Sequence, residues 1–143
     1  MGIDREVVER KLRKIEEFLR ELREIKNIGF SDYRRDVVVK RFIERNLELS
    51  VEQMVDVCRH IVSRLFREVP ESYSHCFELL AGRGVIPVEH LEIYKKMVKF
   101  RNLLIHLYEG VDDSIVYGIY KNHLKDFELF ISDIRKFLKT LPN

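Results

Sequence analysis

The chain has 143 residues, 45% hydrophobic and 35% charged, with a net charge of +2. That is enough for one buried core and too little for a (β/α)₈ barrel, which needs roughly 200 residues or more. No apolar run approaches the ~18 residues of a membrane span. The charged first ten residues contain no apolar stretch of a secretory signal, so a cytoplasmic globular protein is expected. Basic and acidic residues nearly balance in every third of the chain. A broad basic surface for nonspecific nucleic-acid binding is thereby excluded, and any RNA contact has to be made by a few placed side chains.

Hydrophobic periodicity is helical almost throughout. Val8, Leu12, Ile15, Leu19 and Leu22 repeat at alternating steps of four and three, which predicts a first helix over about residues 4–26. Asn27-Ile28-Gly29 closes it, with Gly29 suited to a left-handed cap. Ser31 or Asp32 then caps a long second helix reaching about Phe66, with Val38, Phe42, Leu49, Val55, Val57, Ile61 and Leu65 along it. Charged neighbours on both sides of Val37-Val38-Val39 favour helix over strand there.

A short helix follows over residues 73–81, closed by Gly82-Arg83-Gly84, and Pro87 suits the first turn of a helix running to about 107. Glu109-Gly110 breaks that pattern, and Asp112 or Asp113 caps a last helical stretch interrupted near Gly118 or Asn122. The predicted fold is all-α: an up-and-down bundle of about four long helices plus a short one, forming a single domain over 1–143.

One stretch carries chemistry: Arg101-Asn102-Leu103-Leu104-Ile105-His106-Leu107-Tyr108. A permanent planar cation suited to phosphate oxygens and a side chain that exchanges protons near neutral pH make a minimal kit for phosphodiester cleavage. Five residues of helix turn through about 140°, so Arg101 and His106 do not share a face. Convergence requires the Arg to reach round, the helix to fray, or a second subunit to complete the site. Asn102 and His106 are the natural i, i+4 pair, so Asn102 is a supporting candidate that orients the imidazole or holds a phosphate oxygen.

The other features are weaker. His60, His75, His90 and His123 form no HxxxH or HExxH pair, so no metal site and no cofactor is expected. Cys58 and Cys76 form no CxxC or CxxH pair and read as reduced core thiols. Glu52 and Asp56, at i, i+4 on the second helix, are candidates to orient His106 or Arg101 if their face borders the motif. Tyr117, Tyr120, Phe127 and Phe130 read as core rather than as base-stacking platforms.

RNLLIHLY resembles the RxxxxHxY motif of HEPN domains, small helical ribonuclease toxins paired with minimal nucleotidyltransferase antitoxins. The long second helix from Arg41 to Ile61, the Gly84-Val85-Ile86-Pro87 turn, Asp112-Asp113 and the apolar last helix extend the likeness to about residues 5–140. The resemblance implies a HEPN-like, homodimeric bundle and a metal-independent endoribonuclease of a type VII-like toxin–antitoxin pair. It makes Arg101 and His106 catalytic and Tyr108 the tyrosine that the antitoxin silences by AMP transfer. Two other readings use the same residues: a module that binds nucleotide or RNA without cutting it, and a structural helical partner of a nucleotidyltransferase.

Overall fold

The computed structural model describes residues 2–105 and 112–142. Over these, helix α1 spans Arg5–Glu24, α2 Phe30–Arg35, α3 Val37–Ile61, α4 Tyr73–Gly82, α5 Leu91–Ile105, α6 Asp113–Asn122 and α7 Leu124–Thr140. The four long helices α1, α3, α5 and α7 form the expected bundle, and three short ones connect them.

Asp4 caps α1 by accepting from the Val7 N–H, and Val8, Leu12, Ile15, Leu19 and Leu22 form its buried stripe as the spacing predicts. Each such side chain stabilises the fold by roughly 1.5–3 kcal/mol. The stripe packs chiefly on α3, where Asn46, nearly buried, donates to Glu21 at 3.0 Å. On the far side, Arg135 of α7 reaches both Glu9 and Glu16 of α1, at 3.2 and 3.0 Å.

Several sequence expectations are corrected. The left-handed residue after α1 is Asn27, at φ 55°, whereas Gly29 is extended and caps α2. The long second helix is two helices, because Asp36 both ends α2 and caps α3, its carboxylate accepting from the Val39 N–H at 3.1 Å. Neither Ser31 nor Asp32 is the cap. Val38 and Phe42 are not core; they are 78% and 38% exposed, while Ile43 and Leu47 are fully buried. Once Asp36 restarts the helix, the buried stripe is read from Ile43 rather than from the valine run.

Beyond Ile61 the helix widens into a π-type turn over Val62–Phe66, which Arg67 ends in the left-handed region at φ 53°. Pro87 precedes a 3₁₀ turn, Val88–His90, instead of entering α5 directly. The last break falls at His123, next to the predicted Asn122.

The α5 and α7 helices are joined through Asp133, a nearly buried carboxylate that accepts from the Tyr94 hydroxyl and bonds His90 Nδ1 at 2.8 Å. Tyr120, Phe127 and Phe130 are core as expected, and the Tyr117 and Tyr120 hydroxyls donate to Ile28 and Ile25 carbonyls, fastening α6 over the α1–α2 connection. Cys58 and Cys76 are free and buried side by side, which pushes the Cys58 thiol well above its usual range.

His60 is half-buried, and its Nε2 accepts from the Asp4 N–H at 3.1 Å. Among the described residues no helix is long and apolar enough to cross a membrane.

Candidate active site

Helix α5 is fixed by Tyr94, Met97, Val98, Phe100 and Leu104, all buried. Arg101 lies at the edge of that stripe, one turn from Leu104, where α5 meets α3 and α4. Its stem is therefore covered while its head reaches the seam between helices, leaving the side chain 15% exposed. Across the seam, Arg101 Nη2 donates to Glu52 Oε1 of α3 at 3.2 Å. The guanidinium carbon also stands 5.2 Å from the centre of the Tyr73 ring, in the first turn of α4. Arg101 Nε is buried and has no hydrogen-bond partner among the described residues.

Glu52, named in the sequence as a candidate to orient the motif, does meet Arg101. Its companion Asp56 does not, and instead pairs with Lys11 of α1 at 3.4 Å. Tyr73 carries no sequence signal for the site: it lies 28 positions before Arg101, and only the packing of α4 on α5 brings them together. Asn102 is exposed one position further round α5, with Leu103 and Ile105 also exposed, at 47% and 41%.

His106 and Tyr108 lie outside the described residues. The elements flanking them are both anchored on α3: α5 through Arg101–Glu52, and the start of α6 through Lys40–Asp113 at 3.2 Å. The two anchors are twelve residues apart on α3, or about 18 Å of helix. Asp112 caps α6, as expected, by accepting from the Ser114 N–H and hydroxyl, and these bonds lower its pKa.

The described part of the site thus offers a held, partly covered cation at a helix end, suited to a phosphate oxygen. Among the described residues, no three His, Cys, Asp or Glu side chains gather to hold a metal ion.

Comparison with known proteins places the chain in a family. The family model described as "Ribonuclease HepT-like" matches residues 8–134, nearly the whole bundle. The chain belongs to the HepT-like ribonuclease family. Among its relatives, the mRNA nuclease HepT of Shewanella oneidensis is 28% identical over 130 residues, 91% of this chain and 97% of its own length. The tRNA nuclease HepT of Aphanizomenon flos-aquae is 28% identical over 143 residues, 98% of this chain and 95% of its own length. Among solved structures, a tri-AMPylated Shewanella oneidensis HEPN toxin in complex with MNT antitoxin superposes with a TM-score of 0.83. It is 28% identical and covers 91% of this chain and 97% of that one. The HepT-like assignment agrees with the all-α bundle.

Proposed function

We propose that this HepT-like chain is an endoribonuclease toxin whose single domain over 1–143 acts in the cytoplasm as a homodimer, under control of a nucleotidyltransferase antitoxin. The observation that carries this reading is the Arg101 guanidinium, held at the edge of α5 five residues before His106, in a chain whose full-length relatives are RNA nucleases. His106 takes the proton from an RNA 2′-hydroxyl, which attacks the adjacent phosphorus. Arg101 stabilises the charge that develops on the phosphorane oxygens, with Asn102 in a supporting role. The products are a 2′,3′-cyclic phosphate and a 5′-hydroxyl, and no step requires a metal.

A positioned general base contributes typically 10²–10⁴-fold, and a charge-stabilising donor roughly 10²–10³-fold. The departing 5′-oxygen needs a proton that a single His, already engaged as base, cannot supply in the same step. A second motif across a dimer supplies it. Support for a dimer comes from Leu103, Ile105 and Ile115 on α5 and α6 and from Val38 on α3, all exposed by more than 40%.

The test is incubation of purified protein with tRNA and mRNA in EDTA, followed by end-group analysis. Cleavage leaving cyclic-phosphate ends is expected, with Arg101→Ala and His106→Ala each abolishing it and the double variant no worse than either. Wild-type cleavage by folded His106→Ala protein removes the general-base role. Dependence on added metal overturns the proposed chemistry.

A further inference from the structure

We propose that Glu52 and Tyr73 are positioning residues that hold the Arg101 guanidinium ready for the transition state; this rests on the ribonuclease reading above. Arginine has several rotatable bonds, and confining them when the phosphorane forms would add that entropy to the barrier. Here the confinement is made on folding. The Tyr73 ring, 5.2 Å from the guanidinium carbon, limits the tilt of the guanidinium plane. The Glu52 carboxylate, 3.2 Å from Nη2, limits its rotation. The two restraints come from different helices, α3 and α4, so neither substitutes for the other. The Glu52 bond uses one of the five N–H donors of the guanidinium, and the group retains donors for a phosphate oxygen.

The arrangement has an electrostatic consequence that a merely structural ion pair would lack. Glu52 neutralises Arg101 in the free enzyme and so weakens ground-state attraction for RNA phosphates. It strengthens only the state in which geometry matters. Removing it should therefore divide the kinetic parameters: kcat falls while KM stays level or falls.

The experiment measures steady-state cleavage of a short RNA, normalised to folded protein, for Glu52→Ala, Glu52→Gln, Tyr73→Leu and Tyr73→Phe. Glu52→Ala and Tyr73→Leu should each lose roughly 10- to 100-fold in kcat, the scale for a misplaced catalytic group. Glu52→Gln keeps the acceptor and the shape and should recover part of the loss, while Tyr73→Phe keeps the ring and should match wild type. A Glu52→Ala kcat within about twofold of wild type, or a rise in KM that accounts for the whole defect, overturns the proposal. If Glu52→Ala does not fold, Tyr73→Leu against Tyr73→Phe decides on the same comparison.

A readout independent of turnover separates this proposal from the ribonuclease reading. In ¹⁵N NMR the Arg101 Nη groups should rotate slowly in wild type and average in Glu52→Ala. Free rotation in wild type overturns the clamp. A held guanidinium in a protein that cuts no RNA overturns the ribonuclease reading and upholds the clamp.

Discussion

Tyr108 stands two positions beyond His106, and what it does depends on its oxygen. A phenol with the usual pKa near 10 is a poor nucleophile at neutral pH, so AMP transfer needs a partner enzyme to activate it. We propose that Tyr108 is the residue the antitoxin modifies: its oxygen, activated by the partner, attacks the α-phosphorus of ATP and pyrophosphate leaves. The product sets a phosphodiester anion and a nucleoside seven residues from Arg101, where charge pairing and bulk both oppose RNA entry. Tyr108→Phe should therefore resist modification by the antitoxin with ATP and Mg²⁺ yet retain cleavage. Intact-mass spectrometry showing the same AMP adduct on the Phe variant would sink the assignment, and lost cleavage in that variant would give the hydroxyl a part in catalysis. At this scale the sequence is uneven. Arg101 is legible because a polar group interrupts the apolar pattern of α5, and Glu52 is legible as an acid on a neighbouring helix. Tyr73 is not, because a partly buried tyrosine in a short helix looks like packing until α4 is seen against α5.

The helices show where local signals suffice and where they do not. Helix α1 is legible in its apolar stripe, since that spacing is local. The division between α2 and α3 is not, because Val37-Val38-Val39 looks like a continuation and only the Asp36 carboxylate on the Val39 N–H restarts the helix. What anchors the start of α1 to the end of α3 is also long-range: His60 Nε2 accepts from the Asp4 N–H, which requires a neutral imidazole. Burial, and then the nearby Arg64 cation, depress the pKa of His60 below its ordinary 6.5, against the smaller opposing pull of Asp4. The folded state thus binds this proton less readily than the unfolded chain. The stabilisation it gives is complete above about pH 6.5 and is lost as pH falls through the depressed folded value. His60→Gln offers an acceptor that does not titrate. Thermal unfolding of wild type between pH 7.5 and pH 5.5 (both about one unit from the ordinary value) should show a fall in Tm that His60→Gln lacks. An equal fall in both proteins would place the acid sensitivity elsewhere.

For the whole molecule, the decisive matter is how many chains make one site. A net charge of +2 gives little long-range attraction for RNA, so affinity has to come from local contacts. One chain contributes one Arg101 and one His106, and the 140° between them on an ideal helix disfavours their meeting within a chain. A two-fold axis beside the motif would bring two such pairs together and cover the exposed Val38, Leu103, Ile105 and Ile115. Two arrangements follow from that symmetry: each site draws Arg and His from one chain, or it draws Arg from one and His from the other. Mixing Arg101→Ala with His106→Ala protein distinguishes them. In the shared arrangement, a mixed dimer has one site with neither substitution and one site with both. Random exchange makes about half of all dimers mixed, and each of those keeps one site with an unsubstituted Arg101 and base His106, so recovery is expected up to roughly a quarter of wild-type activity, lowered by whatever the missing second His106 contributes as acid. With both residues from one chain, every site in every dimer carries a substitution, and activity stays at the level of the single variants. Subunit exchange is verified by native mass spectrometry of differently tagged chains. Recovery that rises with the fraction of mixed dimers establishes a shared site, and no recovery at full exchange means that each site needs either Arg and His from the same chain or both copies of His106.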